Sequence, residues 1–105
     1  MEGHSLISAD VVARYAGDAA REVAGVSGVG ARARGRQRGK DVVVEGDDRA
    51  RAVTVRVALE WGSNAASVGA AVQGRVADYL QRMTGARPAS VDVVVSGVGP
   101  SRSRR

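Results

Sequence analysis

Five positive charges recur at every second position in one stretch of the chain: Arg32, Arg34, Arg36, Arg38 and Lys40. In an extended backbone, successive side chains alternate, so this spacing sets all five on one side. Such a row suits phosphate groups. Five contacts on a nucleic-acid duplex would give a log–log salt slope of about −4.5. On an anionic bilayer, each cation near the surface contributes about 1 kcal/mol. No aromatic is interleaved, so a base would find no stacking platform. Arg102, Arg104 and Arg105 form a second basic group at the end of the chain. These eight residues are the candidate interaction set. A solvated loop that aids solubility is the competing reading of the first group.

The other chemistry-bearing residues do not assemble into a reaction centre. His4 is the only histidine and cysteine is absent, which leaves no donor set for zinc. Neither a disulfide framework nor a thiolate nucleophile is available. Glu45, Glu60 and Asp92 are the carboxylates that a sheet would bring nearest one another. They would form an acid/base pair only within hydrogen-bond reach; otherwise they are a solvated face with Arg56 as counter-charge. No serine lies in a nucleophile-elbow pattern. Gly25-Val26-Ser27-Gly28 has the GxxG spacing of RNA-binding KH domains, but it follows a helix and precedes a strand-like segment. It reads better as a helix stop and a turn. Gly28-Val29-Gly30 lacks the strand, helix and lysine of a phosphate loop. No catalytic residue, cofactor or metal is expected.

Periodicity identifies the elements that position these groups. Val11, Val12, Tyr15, Ala16, Ala19, Ala20 and Val23 recur at helical spacing after Ser8, a suitable N-cap. This predicts a first helix over 9–24, with Gly25 beyond its end. Residues 26–40 carry no core-facing pattern and read as a loop or frayed strand entry, with the basic loop at 31–40. Residues 41–45 and 51–61 are expected to pair as an antiparallel hairpin across Gly46-Asp47-Asp48-Arg49. Within it, Val53, Val55, Val57, Leu59 and Trp61 point one way. A second helix starts at Ser63 or Asn64 and runs to about Thr84. Residues 90–96 form the last strand, joined to the hairpin by a right-handed crossover.

The resulting expectation is an α+β domain of order α-β-β-α-β, with two helices on one face of a three-stranded sheet. The domain spans 1–99, and residues 100–105 form a disordered basic tail. Val43 and Val94 would leave the open sheet face partly apolar, a candidate assembly surface. Glycine in a helix costs about 1 kcal/mol relative to alanine. The small-residue flanks around Gly17 and Gly74 therefore suggest close helix contact, within the fold or between protomers.

A chain of 105 residues forms a single domain. Its net charge of +5 is uneven: without the eight clustered cations, eight basic residues face eleven acidic ones, about −3. The basicity therefore concerns partners rather than fold. The N-terminus lacks the basic and apolar regions of a secretory signal. No stretch approaches the roughly 20 apolar residues of a membrane span. The lack of cysteine fits a reducing cytoplasm.

Residues 7–12, Ile-Ser-Ala-Asp-Val-Val, lead into Tyr15-Ala-Gly-Asp-Ala-Ala-Arg-Glu-Val-Ala-Gly-Val26. This resembles the opening helix of the alkaline shock protein family, the Gls-type envelope stress response proteins. Leu59-Glu60-Trp61-Gly62, Met83-Thr84-Gly85 and Val91-Asp-Val-Val-Val-Ser-Gly-Val98 are similar to its strand end, helix stop and last strand. The resemblance spans roughly 6–98 and rests on order and spacing. It departs in the run from Gly28 to Lys40 and in the Arg-rich tail. It implies a non-enzymatic bacterial protein of the cytoplasm or the inner face of the membrane. Such a protein is expected to associate with itself and with a membrane-anchored protein partner, and to be linked to cell-envelope stress. Binding to an anionic lipid surface would assist, and a nucleic-acid-binding module using the basic loop and tail is the alternative.

Overall fold

The computed structural model describes residues 7–29, 41–47 and 49–99. The expected disordered tail lies outside them. The elements in chain order are α1 (Ala9–Arg21), β1 (Val26–Val29), β2 (Val42–Glu45), β3 (Ala52–Glu60), α2 (Ala65–Thr84) and β4 (Ser90–Gly99). Ser8 caps α1 by accepting the Val11 N–H at 3.2 Å, and Asp10 lies in the positive first turn. α1 ends three residues before the expected Ala24. Its last turn tightens through Glu22 N–H to Ala19 and Val23 N–H to Ala20, and Gly25 then reverses the chain at φ +96°. α2 begins as expected: Asn64 accepts the Ser67 N–H at 2.9 Å. It stops at left-handed Gly85, φ +84°, whose N–H reaches the Gln81 carbonyl.

β3 organises the sheet. β4 runs parallel to it along its whole length, from Ala52 opposite Ser90 to Glu60 opposite Gly99. β1 and β2 are both antiparallel to β3. Because β4 fills one edge of β3, β1 and β2 share the other, end to end. β1 takes the positions from Leu59 to Val57, and β2 those from Val55 to Ala52. The sheet thus has four strands in three lanes. The α+β class and the two-helix layer match the expectation. The addition is β1: Val26–Val29 was expected as a loop or frayed entry, but it pairs with β3. A four-residue strand containing Ser27 and Gly28 is too short to show a period, and its pairing comes from β3.

Both helices cover one face. The odd residues of β3, Val53, Val55, Val57 and Leu59, are buried beneath them, while the even ones stay half-exposed. From α1 come Val12, Ala16, Ala19, Ala20 and Val23; from α2 come Val68, Val72, Val76 and Leu80. Each fully buried valine or leucine contributes about 1.5–3 kcal/mol. Between the helices, Tyr15 and Tyr79 meet edge to face with centroids 6.0 Å apart. The two small-residue flanks differ. Gly17 is buried, and a side chain there would contact Val42 at 3.8 Å, so this flank serves internal packing. Gly69 and Gly74 face open space, and Ala66 and Ala70 beside them are exposed.

Candidate functional site

The stem of the basic segment lies within one sheet lane. Val29 is opposite Val57, and Val42 is opposite Val55. Between them, the Arg56 N–H donates to the Asp41 carbonyl at 2.9 Å. Positions 57, 56 and 55 of β3 are therefore met by Val29, Asp41 and Val42 in turn. The whole of 30–40 is inserted between two adjacent rungs of a single ladder. Arg32, Arg34, Arg36, Arg38 and Lys40 lie outside the described residues, as do Arg102, Arg104, Arg105 and His4. Beside the stem, an open groove of about 480 Å³ between α1 and β2 is lined by Asp10, Arg14, Asp18, Arg21 and Asp41. Arg21 and Asp18 pair at 2.8 Å within it. The groove offers mixed charge without converging donors.

The three carboxylates are not brought together. Glu45 lies opposite Ala52 and Glu60 is eight residues further along β3, a separation of about 27 Å at 3.4 Å per residue. Asp92 is opposite Thr54, across β3 from the β2 lane. No acid/base pair forms among these three, and the even positions of β3 on the outer face are half-exposed. Arg56 stands mid-face opposite Val94, and its Nε is enclosed without an acceptor among the described residues. The GxxG string is a helix stop followed by a strand. Gly25 is close-packed: its carbonyl accepts the Glu60 N–H at 2.8 Å, and an added Cβ would lie 2.7 Å from Val68. No group of three or more metal-type donors occurs among the described residues.

The surface that remains is the β4 side. β4 is ten residues long, three beyond the expected 90–96, with Ser96 as a bulge, and among the described residues only its β3-facing edge is paired in the sheet. Between Ser90 and Gly99 the single charge is Asp92. Val94, Val95 and Val98 are 42%, 44% and 52% exposed. Trp61, expected to point inward with β3, is instead 72% exposed. It lies one residue past the strand end, where Gly62 at φ +83° turns the chain, and its N–H donates to the Gly99 carbonyl at 3.0 Å. Period alone carried the inward alternation one residue too far. No signal of period marked the open edge, because edge position is set by topology.

No helix among the described residues is long and apolar enough to cross a membrane. No curated protein and no solved structure matches the chain. The alkaline shock protein family model, described by a cell envelope-related function, matches residues 1–100. That span includes the capped opening helix, the β3–α2 turn at Trp61-Gly62 and the whole of β4. The chain therefore belongs to the alkaline shock protein family, a family with a cell envelope-related function.

Proposed function

We propose that the chain is a non-enzymatic scaffold module of the envelope stress response. In this reading it associates with itself and is held at the inner face of the cell membrane by a membrane-anchored protein partner. The observation that carries the reading is the β4 side of the sheet, a long edge with exposed apolar side chains on both faces, Val94 on the outer and Val95 and Val98 on the inner, and exposed Trp61 at its end, in a member of an envelope-related family. Long apolar edges are templates for pairing with another chain, and exposed aromatics are frequent anchors at interfaces. The basic segment 32–40 adds attraction to anionic headgroups, which weakens as salt rises.

The test is crosslinking in native cells, followed by pull-down and membrane fractionation. The expected result is recovery with the membrane, in covalent adducts with further copies and with a membrane-embedded protein. Recovery as an uncrosslinked monomer, equally soluble with and without its native membrane, would overturn the reading.

A further inference from the structure

We infer that the outer edge of β4 pairs with the same edge of a second copy, antiparallel, about a two-fold axis through Val94. This rests on the reading of the chain as self-associating, and names the surface that does it.

The backbone supplies the first part of the case. In a β-ladder, alternate residues turn their N–H and C=O groups toward opposite edges. The Val91 carbonyl accepts the Gln73 side chain at 2.9 Å, so it faces away from β3. Val93 and Val95 share its phase and direct their backbone groups outward. Gln73 occupies the start of the edge, and among the described residues no other group bonds to that edge from Val93 onward. The opposite edge of the sheet is shared by two four-residue strands, β1 and β2, with residues 30–40 inserted between them.

The side chains favour a second copy as the occupant. With the axis at Val94, Val93 of each copy exchanges hydrogen bonds with Val95 of the other. Val94 faces its own counterpart on the outer sheet face at about 4.5 Å between Cα atoms, the spacing of a non-hydrogen-bonded pair. The single charge, Asp92, lies four rungs from its counterpart along the ladder and opposes the Ser96–Gly97 bulge instead. No like charges meet.

The helix layer is compatible with the same arrangement. A two-fold axis normal to the sheet keeps both helix layers on one side and sets the two α2 helices side by side. Residues three and four apart share a helix flank. The flank of α2 that reaches the β4 edge through Gln73 therefore carries Ala66, Gly69 and Ala70, with Ala77 buried in its own copy. Side chains of this size allow helix axes to approach to about 8 Å. On the inner face, Val95 and Val98 are opposite Val57 and Leu59 yet remain half-exposed, because α2 of their own copy does not cover that end of β4. Because Ser96 is the extra residue of the bulge, Val98 falls opposite Val91 of the second copy, so the covered part of one edge meets the bare part of the other. A lone extended peptide would pair the backbone but leave Val95 and Val98 bare.

The full chain has no cysteine, so a single introduced one reports on a single position. The geometry around Val94 suits a disulfide, for which Cα separations of about 4.4–6.8 Å are required. Purified Val94→Cys should form a disulfide-linked dimer under mild oxidation, while Val43→Cys, on the outer face of the other lane, should not. Val94→Lys places like charges face to face at an exposed position. It should sediment as a monomer where the wild-type chain sediments as a dimer or larger, with unchanged far-UV circular dichroism. A self-associating wild type in which Val94→Cys does not crosslink and Val94→Lys stays assembled would overturn this edge, and leave the scaffold reading standing. A wild type that is monomeric at every concentration, with Val94→Cys silent, would overturn both.

Discussion

Asp47 accepts the backbone N–H groups of Arg49 at 3.0 Å and Ala50 at 3.3 Å, closing the turn between β2 and β3. The hydrogen bond from Arg49 is the main cause that holds its carboxyl below the ordinary carboxylate value. A depressed folded value means that the charged form favours the fold. The contribution is present above the unfolded value and lost as pH falls through the folded one. The difference in melting temperature between wild type and Asp47→Ala should therefore be constant near neutrality and shrink below about pH 4. A difference that persists unchanged to pH 2 would contradict it. Gly25 and Gly62 permit a second test. Both have positive φ, which costs an L-residue about 1–2 kcal/mol. Only Gly25 also meets Val68, at 2.7 Å from an added Cβ, whereas Gly62 faces open space. Urea unfolding should show Gly25→Ala destabilised by clearly more than Gly62→Ala, and equal losses would refute the close packing.

Among the elements, α2 depends on its first cap for a clean start, since its first turn carries no acidic residue to offset the orphan N–H groups. Asn64→Ala should cost about 1 kcal/mol in urea unfolding, and a loss near zero would mean that water replaces the cap without penalty. This boundary was legible in the sequence, as were β3, the stop at Gly85 and the turn at Gly46, because each combines a period with a specific punctuating residue. The odd valines of β3 declared the buried face, and the pairing of 42–45 with 52–55 followed from the turn. What was not legible depends on neighbours distant in sequence. β1 has two apolar residues in four and becomes a strand only because β3 offers it an edge. The open edge of β4 and the exposure of Trp61 depend on which lane is outermost and where the helix layer stops. The basic residues themselves were plain in sequence, but that they enter and leave a single ladder between adjacent rungs was not, since it requires the register of both halves against β3.

At the scale of the whole molecule, this register gives the insertion a separable role. Val29, Asp41 and Val42 meet Val57, Arg56 and Val55 in succession. Val29 and Val42 face the helices, and Asp41 between them is exposed, so joining Val29 directly to Asp41 preserves the alternation. Excision of 30–40 should then leave one continuous antiparallel strand across β3. It also removes the entropy of closing an 11-residue loop, about 2 kcal/mol by the logarithmic term alone. The shortened chain should fold with the same circular dichroism and melt no lower than wild type. It loses five cations, and its net charge falls from +5 to zero. Its retention on anionic vesicles at low salt should fall by at least about tenfold, and the residual binding should depend less on salt than that of the full chain. Assembly through β4 should survive, because that edge lies on the far side of β3. If excision unfolds the protein, the insertion is part of the fold and the two lane halves do not join as their register indicates. If it folds but binds vesicles as tightly as before, the attraction resides in the terminal Arg102, Arg104 and Arg105 or in Trp61, at the end of the sheet where Gly99 and Trp61 are hydrogen-bonded.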